Sequence, residues 1–192
     1  LNIKFLDQND TVKILQKKIE KDYSIWEEGS VFTFVHSLIP HAPYRYENCV
    51  INENAKDTFI NYPLQDEMKY YVSSVQCAFL RMEEITETIM SKDKDAIIVF
   101  QADHGTSIFN EITGKEVISE EAVNERINIF NAALLPKKCK SKFNNEIGNV
   151  GTIQLVLSCI GIDIPNIELS NPRSYIGFYQ NSESFGKVYR VK

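Results

Sequence analysis

Apolar and polar positions change period several times along the chain, and each change predicts an element. Val12, Leu15 and Ile19 share one helical face, which predicts a first helix over 10–22 with Asp10 as its cap. Gly29 and Ser30 break that pattern. The run Val31-Phe32-Thr33-Phe34-Val35 is almost continuously β-favouring, as expected of a strand covered on both faces. Residues 38–63 carry three prolines among polar positions and read as a long loop. Loops of that length inside compact domains are usually functional. From 66 to 91, Met68, Val72, Val75, Phe79, Met82, Ile85 and Ile89 recur at intervals of three and four. That spacing predicts an amphipathic helix with this stripe in the core.

The apolar run Ala96-Ile97-Ile98-Val99-Phe100 predicts a second strand over 96–101. Residues 106–125 are polar and read as a surface excursion. Arg126-Ile127-Asn128-Ile129-Phe130-Asn131-Ala132-Ala133-Leu134-Leu135 reads as a third strand ended by Pro136, and 137–143 as a solvated basic turn. Gly151 opens a short apolar helix through Cys159, closed by Gly161. The tail over 185–191 suits an edge strand. There is no internal repeat and no low-complexity segment. The order strand, helix, strand, strand, helix points to an α/β fold, a mostly parallel sheet flanked by helices.

Composition narrows the picture. An apolar fraction of 43% in 192 residues supports a sizeable core and excludes disorder. The net charge is −5 with no basic arm, which argues against a nucleic-acid partner. No apolar stretch reaches the length of a membrane span, and no signal peptide is present. The chain begins at Leu1, as expected of a processed product or a fragment. None of the four cysteines forms a CxxC. Cys77 and Cys159 fall in apolar helical patterns and read as small core residues. Cys49 and Cys139 fall in loop-like surroundings, where a disulfide between them is an option.

The chemistry concentrates at Asp103-His104-Gly105, directly after the second strand. Ligands of open α/β sheets bind at the carboxyl ends of strands, and a carboxylate with an imidazole suits Zn or Mn. Adjacent side chains of a regular strand point to opposite faces. Both can reach one ion only if the backbone turns sharply, which Gly105 permits. The plain alternative is a capping Asp and a hydrogen-bonded His. His41, between Pro40 and Pro43, follows the first strand, where the prolines stiffen the loop. It either serves a site or packs on Tyr44 or Tyr46. His36 reads as an ordinary strand-end residue. Tyr44, Arg45 and Tyr46 suit a pocket lining, with Arg45 able to pair with an anionic ester oxygen.

Taken together, three segments resemble the sulfatase-like branch of the alkaline phosphatase superfamily. They are Phe34-Val35-His36-Ser37-Leu38-Ile39-Pro40-His41-Ala42-Pro43-Tyr44, the helix with Tyr70-Tyr71-Val72-Ser73-Ser74-Val75, and Ile97-Ile98-Val99-Phe100-Gln101-Ala102-Asp103-His104-Gly105. Glu125-Arg126-Ile127-Asn128-Ile129-Phe130-Asn131-Ala132 and Val150-Gly151-Thr152 look like later segments of the same family. The resemblance is to its bacterial membrane-anchored members, such as lipoteichoic acid synthases and phosphoethanolamine transferases. It implies an alkaline-phosphatase-like fold. It also implies that Asp103 and His104 are metal ligands, and that His41 contacts the charged group or leaving oxygen of the substrate. The metal would be Zn or Mn, with Ca or Mg as further options. The substrate would be an anionic phosphate or sulfate ester, lipid- or glycan-linked, outside the cytoplasm.

The chain departs from that family in two ways. The family's nucleophile and remaining carboxylate ligands lie in its N-terminal half, and nothing in 1–30 resembles them. Residues 1–192 are thus expected to be the C-terminal part of one catalytic domain, incomplete, with a membrane anchor and the nucleophile outside the chain. Such a fragment should bind metal weakly and show no turnover. No His follows His104, where the transferases usually carry another. Thr106, Ser107, Glu111 and Arg126 are candidates for that space. Hydrolase and headgroup transferase stay unseparated. The alternatives are a degenerate, non-catalytic module that binds an anionic glycan or a partner protein, and a stand-alone α/β domain with a purely structural corner.

Overall fold

A computed structural model describes residues 14, 16, 17, 32–42, 44, 46–51, 64–108, 119–144, 147–164, 174–181 and 184–191, with the side chains of 64, 65 and 174–191 excepted. The chain forms two compact units, Leu1–Lys94 and Asp95–Lys192. Helices combine with small sheets, and all three strand pairs among the described residues are antiparallel. The expected parallel pairing is in none of the three. The helix expected over 10–22 lies mostly outside the described residues; Ile14, Gln16 and Lys17 are helical.

In the first unit, residues 32–38 form no strand. Phe32 is 87% and Phe34 70% exposed. This corrects the strand expected over 31–35. β-propensity expresses packing against neighbouring strands, and no strand pairs with this segment among the described residues. The chain then enters a tight hairpin, β1 (Tyr46–Glu47) and β2 (Val50–Ile51), with Tyr46 opposite Ile51. Asn48 and Cys49 both take positive φ, 50° and 61°, as a two-residue turn of matching twist requires.

Helix α1 (Leu64–Lys92) is 29 residues long, with Asp66 and Glu67 in its first turn and Lys92 in its last. Both charges complement the helix dipole. The helix is where its period places it, but its buried face is not the expected stripe. Ser74, Cys77 and Ala78 are buried, whereas Val72 and Phe79 are about half exposed. The reason is the hairpin: Ile39 and Tyr46 form a core with Cys77 and Ala78, flanked by Cys49, Ile51 and Met82. Small residues let the hairpin approach closely, and Cys49 bonds to Cys77 across a Cα separation of 5.0 Å. The Ser74 hydroxyl, buried on this face, donates to the Tyr70 carbonyl at 2.8 Å.

In the second unit, β3 (Ile98–Gln101) pairs with β4 (Asn131–Leu134), Val99 opposite Ala133 and Gln101 opposite Asn131. Helix α2 (Glu120–Ile127) precedes β4. The strand expected over 126–135 therefore shrinks to four residues, because Ser119 caps a helix through the Ala122 N–H at 3.1 Å. A short helix α3 (Lys137–Lys140) and helix α4 (Asn149–Cys159) follow. Leu135, Cys139, Ile147, Leu155 and Cys159 make the core, with Ile97, Ala133, Phe143 and Val156 packed on it. Gly161 closes α4 as expected, at φ +89°, while the Ile162 N–H reaches the Leu157 carbonyl at 3.0 Å. A hairpin of β5 (Ser174–Asn181) and β6 (Ser184–Val191) lies in the region of the expected edge strand.

The cysteine pairing is also corrected. Cys139 bonds to Cys159 with a Cα separation of 5.9 Å, so all four cysteines are paired and none links Cys49 to Cys139. Both separations lie in the ordinary disulfide range. Cys77 and Cys159 are buried, as expected, but as disulfide partners rather than free thiols.

Candidate metal centre

The Asp103-His104-Gly105 corner starts where β3 stops. The Ala102 N–H still donates across to the Phe130 carbonyl at 2.9 Å. Beyond it the chain turns. The Asp103 carboxylate accepts the His104 N–H through Oδ1 at 3.0 Å, and the Gly105 N–H donates to the Arg126 carbonyl at 2.7 Å. The Arg126 guanidinium donates back to the Gly105 carbonyl at 2.8 Å. A Cβ at position 105 would lie 2.1 Å from the Glu125 carbonyl oxygen and 2.9 Å from that of Asn128. Glycine is required here for close approach to the end of α2.

The turn brings two neighbouring side chains to one side. His104 Nε2 lies 3.6 Å from Asp103 Oδ2. His104 Nδ1 lies 2.9 Å from the Gly105 carbonyl. A carbonyl only accepts, so Nδ1 is the donor of this bond and Nε2 is the ring nitrogen that faces the carboxylate. Metal-bound histidines are held in the same way, by a hydrogen bond from the ring nitrogen that does not bind. Side-chain exposure is 84% for Asp103 and 37% for His104, so both are open to a ligand.

Behind the corner runs a polar network that the apolar period did not predict. The Asn149 side-chain amide donates to the Ala102 carbonyl at 2.9 Å. Gln101 donates to the Asn149 carbonyl and to Asn131 Oδ1, both at 3.2 Å. Asn131 donates to the Ile147 carbonyl and to Thr152 Oγ1, both at 2.8 Å. The start of α4 is thereby fastened to the end of β3. The sequence signal was Gln101 and Asn131, amides at the ends of otherwise apolar strands. Thr106 Oγ1 and Asn149 Oδ1 are buried with no hydrogen-bond partner.

The other candidates are placed as follows. His41 belongs to the first unit and is exposed, its Nδ1 against the Ala42 carbonyl. His36 is exposed too. Tyr44 packs edge-on against Tyr71, with ring centroids 5.3 Å apart. Tyr46 is a buried core residue beneath Arg81. Arg45 and Glu111 lie outside the described residues. Ser107 is exposed, and Arg126 is committed to Gly105.

A metal test on these residues gives a partial fit. An imidazole nitrogen and a carboxylate oxygen are the right donors for Zn or Mn. Among the described residues, no group of three or more His, Cys, Asp or Glu gathers as a metal site, so the corner offers two ligands. No helix among the described residues is long and apolar enough to cross a membrane. No protein-family model, no curated protein and no solved structure matches the chain.

Proposed function

We propose that the chain is part of a metal-dependent enzyme acting on phosphate or sulfate esters, of the sulfatase-like type that its motifs resemble. Asp103 and His104 supply two of the metal ligands. The observation that carries this reading is the 3.6 Å between Asp103 Oδ2 and His104 Nε2. Asp103 Oδ2 and His104 Nε2 are the atoms that would hold the ion. The Nδ1 hydrogen bond of His104 to the Gly105 carbonyl adds to it. When bound, the metal polarises the ester and lowers the pKa of the attacking group. His104 holds Nε2 ready, Gly105 and Arg126 lock the turn, and Asn149 pins the strand end. His41 is the proposed contact to the charged ester group or the leaving oxygen.

On this reading β3 belongs to a larger, mostly parallel, alkaline-phosphatase-like sheet, and the nucleophile lies outside the chain. The two disulfides support a place outside the cytoplasm, where thiols oxidise. A lipid- or glycan-linked ester and an anchor beyond this chain fit that location.

A second reading is a non-catalytic module that binds an anionic glycan or a partner protein. The same 3.6 Å is compatible with it, because a carboxylate and an imidazole make a contact of that length with no metal. Metal content and thermal stability, wild type against Asp103→Ala/His104→Ala, separate the two. A rise in Tm with Zn or Mn that the double variant lacks supports the metal site. Equal responses in both proteins support the module.

A further inference from the structure

One residue holds both backbone polar groups of Gly105. The Gly105 N–H donates to the Arg126 backbone carbonyl at 2.7 Å. The Gly105 carbonyl accepts from the Arg126 guanidinium through Nη1 at 2.8 Å. These two groups belong to successive peptide planes, one on each side of a single α-carbon. Glycine is the residue freest to rotate between such planes, and position 105 admits nothing larger, since a Cβ would meet the Glu125 carbonyl oxygen. The freedom that glycine brings to the corner is removed from outside, by a residue in the last turn of α2.

The Gly105 carbonyl has a second task. It also accepts from His104 Nδ1 at 2.9 Å. A carbonyl oxygen has two lone pairs, so the imidazole and the guanidinium fill it between them. The direction of this carbonyl therefore sets where the His104 ring is held. Rotation of the 105–106 peptide would carry the acceptor away from Nδ1 and release the ring. Arg126, itself half-buried, resists that rotation with a charge-assisted bond, stronger than a neutral one. A guanidinium keeps its proton at every ordinary pH, so the restraint is always present.

We infer that Arg126 is a positioning residue for His104: its guanidinium fixes the Gly105 carbonyl, and that carbonyl aims the imidazole that faces Asp103. What the ring is aimed at rests on the metal reading of the corner. How the ring is held rests on the hydrogen bonds alone.

Imidazole nitrogen-15 spectra of the metal-free chain at about pH 8, above the ordinary histidine range, test it. Wild-type His104 should show one dominant form, with the proton on Nδ1. Arg126→Met keeps the aliphatic stem and should move His104 toward the exchange-averaged spectrum of an exposed histidine such as His36. Arg126→Lys, whose ammonium can donate to the same carbonyl, should keep most of the wild-type signal. Ser119→Ala removes the cap of the same helix without touching Gly105 and should leave His104 as it was. Arg126→Met should also bind Zn²⁺ about tenfold more weakly than wild type, the lower end for groups that orient a metal ligand. An unchanged His104 spectrum in Arg126→Met, an equal change in Ser119→Ala, or a wild-type His104 that is already averaged would overturn the inference. A wild-type form lost in Arg126→Met, with Zn²⁺ bound by neither protein, would uphold the positioning and sink the metal reading instead.

Discussion

Asp103 and His104 are neighbours in sequence, yet Oδ2 of one stands 3.6 Å from Nε2 of the other. A regular strand would send them to opposite faces. The backbone turns between β3 and α2, held by the bond from the His104 N–H to Asp103 Oδ1 and by the paired bonds between Gly105 and Arg126.

Gly105→Ala should therefore be costly. The new methyl would meet the Glu125 carbonyl at 2.1 Å, and backbone cannot step aside as a flexible side chain does. A loss of about 3 kcal/mol is expected, the upper end for overpacking. Urea unfolding followed by circular dichroism measures it. A loss below half that value would mean that the end of α2 is free to move.

Asn131 links β3, β4 and α4. Asn131→Ala removes donors to the Ile147 carbonyl and to Thr152 Oγ1, and an acceptor for Gln101. Thr152 is fully buried. Stranded buried partners make such a loss worth about 2 to 3 kcal/mol. The same urea experiment reads it. A variant as stable as the wild type would show that these bonds contribute nothing net.

The disulfides close loops of sequence separation 28 and 20. Loop-closure entropy assigns each about 3 kcal/mol. Peptide mapping without reductant should recover Cys49 joined to Cys77 and Cys139 joined to Cys159. Reduction should lower Tm markedly. Recovery of a Cys49–Cys139 peptide would contradict both pairings.

Acid should weaken α2. The Glu121 carboxyl is held below its ordinary value of 4.5, first by its own backbone N–H and then by the Ser119 hydroxyl. A depressed folded pKa contributes stability above the unfolded value, lost as pH falls through the folded one. Stability should thus decline as pH drops below the ordinary glutamate range, and Glu121→Gln should flatten that decline. Ser119→Ala should cost about 1 kcal/mol, the usual worth of a cap. Melts taken across the acid range check both; a Gln variant with an unchanged acid limb would refute the assignment.

The sequence showed what depends on local period and hid what depends on partners. Helix α1 was legible from its spacing of three and four, but its buried face turned toward Cys77, because the Cys49 hairpin sits there. The run 31–35 has the composition of a strand, yet composition cannot supply the neighbour a strand needs. The cap at Ser119 was readable, since Ser-Glu-Glu-Ala opens helices, but the apolar run beginning at Arg126 outweighed it. The Asp-His-Gly corner was visible as a motif. The amides behind it were not, because residues 101, 131 and 149 meet only through the fold.

The central claim is that the corner binds a metal through Asp103 and His104. The chain has three histidines, so imidazole nitrogen-15 spectra resolve each one. Titration with Zn²⁺ should shift His104 Nε2 while Nδ1 keeps its proton, and leave His36 as it was. Asp103→Ala should abolish the shift. An Nε2 signal unmoved by excess Zn²⁺, or an equal shift in the Asp103→Ala protein, would contradict the account.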